Sequence, residues 1–65
     1  MGLATVKADI APLYQQPTAE STRLDEILYG MSVQVVQQLE NGWYYLRSAH
    51  HTEGYMPGDY LELNA

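Results

Sequence analysis

Apolar and polar positions alternate along this chain with a period of two far more often than with a helical period. Thr5-Val6-Lys7-Ala8-Asp9-Ile10 alternates polar with small or apolar residues and predicts a first strand. Ala11-Pro12-Leu13-Tyr14 follows, and Pro12 argues against a long central strand there. Residues 15–23 are polar with one proline and predict a long exposed loop. Leu24-Asp25-Glu26-Ile27-Leu28-Tyr29 holds enough apolar positions for one helical turn, but Gly30 ends it early. A short strand or turn before Gly30 is the better reading.

The pattern is clearest in the second half. Val33, Val35 and Leu39 alternate with Gln34 and Gln37, which predicts a β-branched strand with an irregularity at Val36. Glu40-Asn41-Gly42 is a hairpin signal, because Asn-Gly tolerates the positive φ such turns need. Trp43-Tyr44-Tyr45-Leu46-Arg47 reads as the return strand and Ser48–Thr52 as a connector. Glu53-Gly54-Tyr55-Met56 reads as the next strand. Pro57-Gly58-Asp59-Tyr60 is too short for an α-helix and suits a 3₁₀ turn, after which Leu61-Glu62-Leu63 closes the chain as a short strand. About five short strands with turn signals between them predict an all-β fold, a small antiparallel barrel or sandwich. No internal repeat or low-complexity segment interrupts it.

Strand geometry assigns the side chains. Trp43, Tyr45 and Arg47 share one face, and Tyr44 and Leu46 share the other. Leu46, Val33, Val35 and Met56 then make a core, while Trp43 points to solvent or a groove. Composition adds weight to that groove. The chain has no Phe, yet the only Trp and four of the six Tyr lie in Gly42–Tyr45 and Gly54–Leu61. Trp and Tyr offer large contact area, few rotatable bonds and a polar tip, so they favour recognition surfaces. The competing reading has Trp43 merely cover one end of a barrel too small to bury it.

Length and charge narrow the function classes. Sixty-five residues make one domain, spanning 1–65 and read as excised from a larger protein. A chain this short buries only about 60% of the surface its unfolded form exposes. Without Cys it has no disulfide, thiol nucleophile or Cys-based metal cluster. A net charge of −5, with Lys7, Arg23 and Arg47 the only Lys and Arg, argues against nucleic acid and against anionic membranes. No apolar run approaches the roughly 20 residues of a membrane span. Met1–Val6 lacks the charged start and apolar centre of a signal peptide, and Val6 breaks the myristoylation pattern.

Catalytic constellations are not legible. His50 and His51 are neighbours, which point to opposite faces of a strand, so they read as a solvated loop rather than a metal site. Asp25 and Glu26 are adjacent, whereas glycosidase chemistry needs carboxylates facing each other across about 5 to 9.5 Å. They read as solvent-facing charges or, with Glu20, as an acidic rim for a cationic ligand. Ser21, Ser32 and Ser48 lack a Gly-x-Ser-x-Gly context, and no Gly-rich phosphate loop is present. No cofactor is expected, and the chain is read as no enzyme.

The order Ala11-Pro12-Leu13-Tyr14, Gly42-Trp43-Tyr44 and Gly54-Tyr55-Met56-Pro57-Gly58-Asp59-Tyr60-Leu61-Glu62-Leu63 resembles the Src-homology-3 fold over roughly residues 5 to 63. The stretch Asp25–Val35 looks more like the bacterial branch, in particular the N-terminal modules of NlpC-type cell-wall endopeptidases. The resemblance implies a five-stranded, strongly bent barrel with a short 3₁₀ turn before the last strand. It also implies a groove in which Tyr14, Trp43, Pro57 and Tyr60 match ligand-binding positions. Gln16 replaces the second Tyr of the usual Ala-Leu-Tyr-x-Tyr run, and Asp59 stands where Asn is common.

The expected function is a non-catalytic module of a peptidoglycan hydrolase, monomeric and placed in the cell envelope or outside the cell. It would recognise cell-wall peptide or shape the substrate site of its own catalytic domain. The alternative is an adaptor for proline-rich PxxP peptides held in the polyproline II form. A third reading has the module dock on its catalytic domain and bind nothing free.

Overall fold

The structure, a computed structural model, describes residues 2–64. Seven strands follow in chain order: β1 Gly2–Val6, β2 Ile10–Tyr14, β3 Arg23–Leu28, β4 Ser32–Gln38, β5 Trp43–Arg47, β6 Glu53–Pro57 and β7 Leu61–Asn64. A 3₁₀ turn, Gly58–Tyr60, sits before β7, as the resemblance implied. All pairings are antiparallel, and the strands form one sheet in the order β3-β2-β6-β5-β4-β1-β7. The ladder does not close on itself. The sheet is nevertheless strongly bent, because the molecule measures 28 × 23 × 20 Å while one flat layer is about 10 Å thick.

Two differences raise the strand count from the expected five to seven. The expected first strand, residues 5–10, is broken at Lys7. There the backbone serves other partners: Lys7 N–H donates to the Tyr60 carbonyl, and the Asp9 carbonyl accepts from Tyr29 N–H. The chain therefore ends β1 at Val6 and restarts as β2 at Ile10. The second difference is β3, a full six-residue strand that begins at Arg23, inside the expected loop. Pro12 lies within β2 without breaking it. One flank of β2 pairs with β3 along its length, but the other meets β6 only at Tyr14↔Tyr55. Most of that flank has no ladder bond for a proline to remove.

The other local expectations hold. The ladder between β4 and β5 shifts register between Val35 and Gln37, which is the irregularity read at Val36. Gly42 has φ 86°, and the hairpin closes with Leu39 N–H on the Trp43 carbonyl at 2.9 Å. Each strand supplies at least one buried core residue, among them Val6, Leu13, Ile27, Val33, Leu46, Met56 and Leu61. Val35 and Tyr44 are partly buried and pack against this cluster. Every strand depends on the others to exclude water, so the domain folds as a unit.

Candidate functional site

The site is built on the outer face of β5 and β6. Alternation turns Tyr44 and Leu46 inward and leaves Trp43, Tyr45 and Arg47 on the other face. The register places Pro57 opposite Trp43, Tyr55 opposite Tyr45 and Glu53 opposite Arg47. Tyr14, from β2, pairs with Tyr55 and extends the row by one strand. The approach of β2 to β6 requires Gly54. A Cβ there would lie 2.6 Å from the Tyr14 carbonyl oxygen and 2.9 Å from Leu13 Cγ.

Trp43 rests against Tyr14, with ring centroids 5.6 Å apart and planes inclined by 50°. Tyr14 is 7% exposed and acts as the foundation, while Trp43 is half-buried and presents the open surface. The hairpin backbone is anchored at Trp43. The Trp43 N–H donates to Asn41 Oδ1 at 3.1 Å, and Asn41 Nδ2 donates to the Pro17 carbonyl. The hairpin is thereby tied to the loop between β2 and β3. A further bond, Gly58 N–H to the Gly42 carbonyl at 2.9 Å, ties the hairpin to the 3₁₀ turn that follows Pro57.

The structure thus brings Tyr14, Trp43 and Pro57 together. Tyr60 is half-buried and packs against the core, and its carbonyl holds Lys7. Among the described residues its ring makes no ring contact with Tyr14 or Trp43. Of the three acids read as a rim, Asp25 and Glu26 are joined and each has a basic partner. Asp25 Oδ2 lies 3.2 Å from His50 Nδ1, and Asp25 Oδ1 accepts from Glu26 N–H. Glu26 pairs with Arg23 at 3.4 Å, and Glu20 is exposed in the loop before β3. Arg23 in turn places its guanidinium carbon 6.0 Å from the Tyr14 ring centroid. A cation of the chain itself therefore flanks the shelf.

Residues that the sequence reading did not name as site residues continue the same face. Tyr45 and Tyr55 are in contact, centroids 4.9 Å apart. Tyr45 donates its hydroxyl to Glu53 Oε1 at 2.8 Å, and Arg47 donates Nε and Nη2 to Glu53 Oε2 at 2.9 and 2.6 Å. The Arg47 hydrogen bond, with that of Tyr45 next, holds the Glu53 carboxyl below its ordinary 4.5. The bond to Glu53 pushes the Tyr45 phenol above its ordinary 10.0. Alternation on β5 already put Tyr45 and Arg47 beside Trp43. Glu53 and Tyr55 also alternate, but only the β5–β6 register shows that they join that row.

The family model for the bacterial SH3 domain matches residues 11–62 of this chain. The chain belongs to the bacterial SH3 domain family. It is 50% identical over 52 residues to Dipeptidyl-peptidase 6 of Lysinibacillus sphaericus, a stretch that covers 80% of this chain and 19% of that protein. Bacterial SH3 domains are a non-catalytic module type. The match begins at Ala11, so Tyr14, Trp43, Pro57 and Tyr60 all lie within the matched SH3 domain while β1 precedes it.

Proposed function

We propose that this SH3 domain is the non-catalytic recognition module of a peptidoglycan hydrolase. Its Tyr14–Trp43–Pro57 shelf, with Tyr60 nearby in sequence, takes a cell-wall peptide or completes the substrate site of an attached catalytic domain. The parent protein acts in the cell envelope or outside the cell. Support comes from the relative named as a peptidase, of which the shared stretch is a small part.

The observation that carries the reading is the half-buried Trp43 ring packed against a buried Tyr14. An indole already packed on a neighbouring ring has less rotamer entropy to lose when a ligand covers it than a free one. Wall peptides offer methyl groups and amide planes that stack on such a ring, and amines that suit a chain of net charge −5. Sedimentation with purified cell walls tests the reading. The domain is expected in the pellet and the Trp43→Ala variant in the supernatant. Equal pelleting of both would contradict it.

A further inference from the structure

A second concavity lies away from the shelf, where the sheet meets the Ser48–Thr52 turn. It is a cleft of about 260 Å³ whose lining includes Leu3, Gln34, Arg47, Ala49 and His51. The floor is a cross-strand row, because Leu3 pairs with Gln34 and Gln34 with Arg47. The wall is a turn organised around one buried hydroxyl. Ser48 Oγ accepts from the N–H groups of His50 and Thr52, and the Ser48 carbonyl accepts from His51 N–H. This closure holds His51 at φ 65°, a left-handed conformation uncommon for a residue with a side chain. His50 fastens the outside of the turn to Asp25 on β3.

We propose that this cleft binds the carboxylate end of a short peptide with small side chains. The charge pattern gives the first reason. The chain carries eight acids against three Lys and Arg, yet among the described residues the ionisable side chains lining the cleft are Arg47 and His51. Arg47 spends Nε and Nη2 on Glu53, and its Nη1 has no acceptor among the described residues. A guanidinium anchored on one edge presents its remaining N–H groups in fixed directions, which suits a planar carboxylate. The apolar end of the floor gives the second reason. Leu3 is 54% exposed beside Arg47 and offers a contact for a methyl group adjoining the carboxylate. Gln34 supplies an amide donor and acceptor for a peptide bond. Size gives the third. The volume falls just below the roughly 300 Å³ at which pockets for drug-sized ligands begin, so it admits a chain end rather than a long segment.

The test uses the full chain, labelled with ¹⁵N, and three probes: acetyl-Ala-Ala, its C-terminal amide, and sodium acetate. Acetyl-Ala-Ala is expected to shift Arg47 Nε–H and the backbone amides of Gln34, Ala49 and His51, leaving the Trp43 indole N–H in place. The amide and acetate are expected to bind at least about fivefold more weakly. The exposed Ala49→Glu variant leaves every turn bond intact and adds a like charge. It should weaken acetyl-Ala-Ala by about fivefold, the repulsion of two unit charges about 4 Å apart in water. Equal response to acid and amide would overturn carboxylate recognition. Equal response to acetate would overturn recognition of a peptide end. No response, or shifts confined to the Trp43 indole, would remove the site altogether without touching the shelf.

Discussion

Trp43 lies against Tyr14 with ring centroids 5.6 Å apart, although 28 residues of chain separate them. The contact exists because β2 meets β6 at one residue pair, Tyr14↔Tyr55, and β6 carries β5 and its hairpin alongside. The shelf is therefore a property of sheet topology. Changes that disturb that single junction should disturb recognition even when they touch no shelf residue.

Gly54 guards the junction. In Gly54→Ala the new methyl would sit 2.6 Å from the Tyr14 carbonyl oxygen, a backbone atom with little freedom to move. Overpacking of this kind costs about 1–3 kcal/mol. Urea unfolding should show the loss, and Trp43 fluorescence of the folded fraction should change as Tyr14 is pushed away. Unchanged stability and emission would contradict the assigned junction.

Leu46 and Met56 are fully buried on neighbouring strands and belong to the one core of the domain. Truncating either to Ala should cost about 2–5 kcal/mol. Small domains start near the lower end of the usual 5–15 kcal/mol. Circular dichroism melts should show both variants largely unfolded or melting far below the parent.

The Arg47–Glu53–Tyr45 unit makes stability depend on pH at two ends. Glu53 titrates below its ordinary 4.5 in the folded chain, so its stabilisation is complete above that value and is lost as pH falls through the lowered one. Tyr45 titrates above its ordinary 10.0, so its stabilisation is complete below 10.0 and is lost as pH rises through the raised one. Melting temperatures of the parent and of Glu53→Gln, measured across pH, should converge at the acid extreme, differ most between the two titrations, and draw closer again as pH rises through that of Tyr45. High salt should shrink the difference, since the group is exposed. Parallel curves would contradict the coupling.

His51 tests the turn behind the cleft. A left-handed residue costs roughly 1–2 kcal/mol, and glycine returns about 0.5–1 of that as backbone entropy. His51→Gly should thus leave stability within about 1 kcal/mol of the parent. His51→Val places a β-branched residue at φ 65° and should be clearly less stable in the same denaturation assay.

Much of this molecule was legible in the residue pattern. Alternation located β4, β5, β6 and β7, Asn41-Gly42 marked the hairpin, and Leu46, Met56 and Val33 were placed in the core that buries them. The break at Lys7 was not legible, because its cause is a set of bonds to Tyr60 and Tyr29 from far along the chain. β3 was underread because its polar face resembles a loop. Pro12 was read as a barrier because the empty flank of β2 is a feature of topology. Within the site, side-chain direction on β5 followed from alternation. The partnership of Arg47 with Glu53 and of Tyr45 with Tyr55 needed the register between strands.

Titration of the ¹⁵N-labelled chain with muropeptides, followed at the Trp43 indole N–H, addresses the shelf most directly. The proposed function predicts a saturable shift of that resonance, lost when proline-rich PxxP peptides replace the muropeptides at the same concentration. An indole signal that stays still at saturating muropeptide would contradict recognition at the Tyr14–Trp43 shelf.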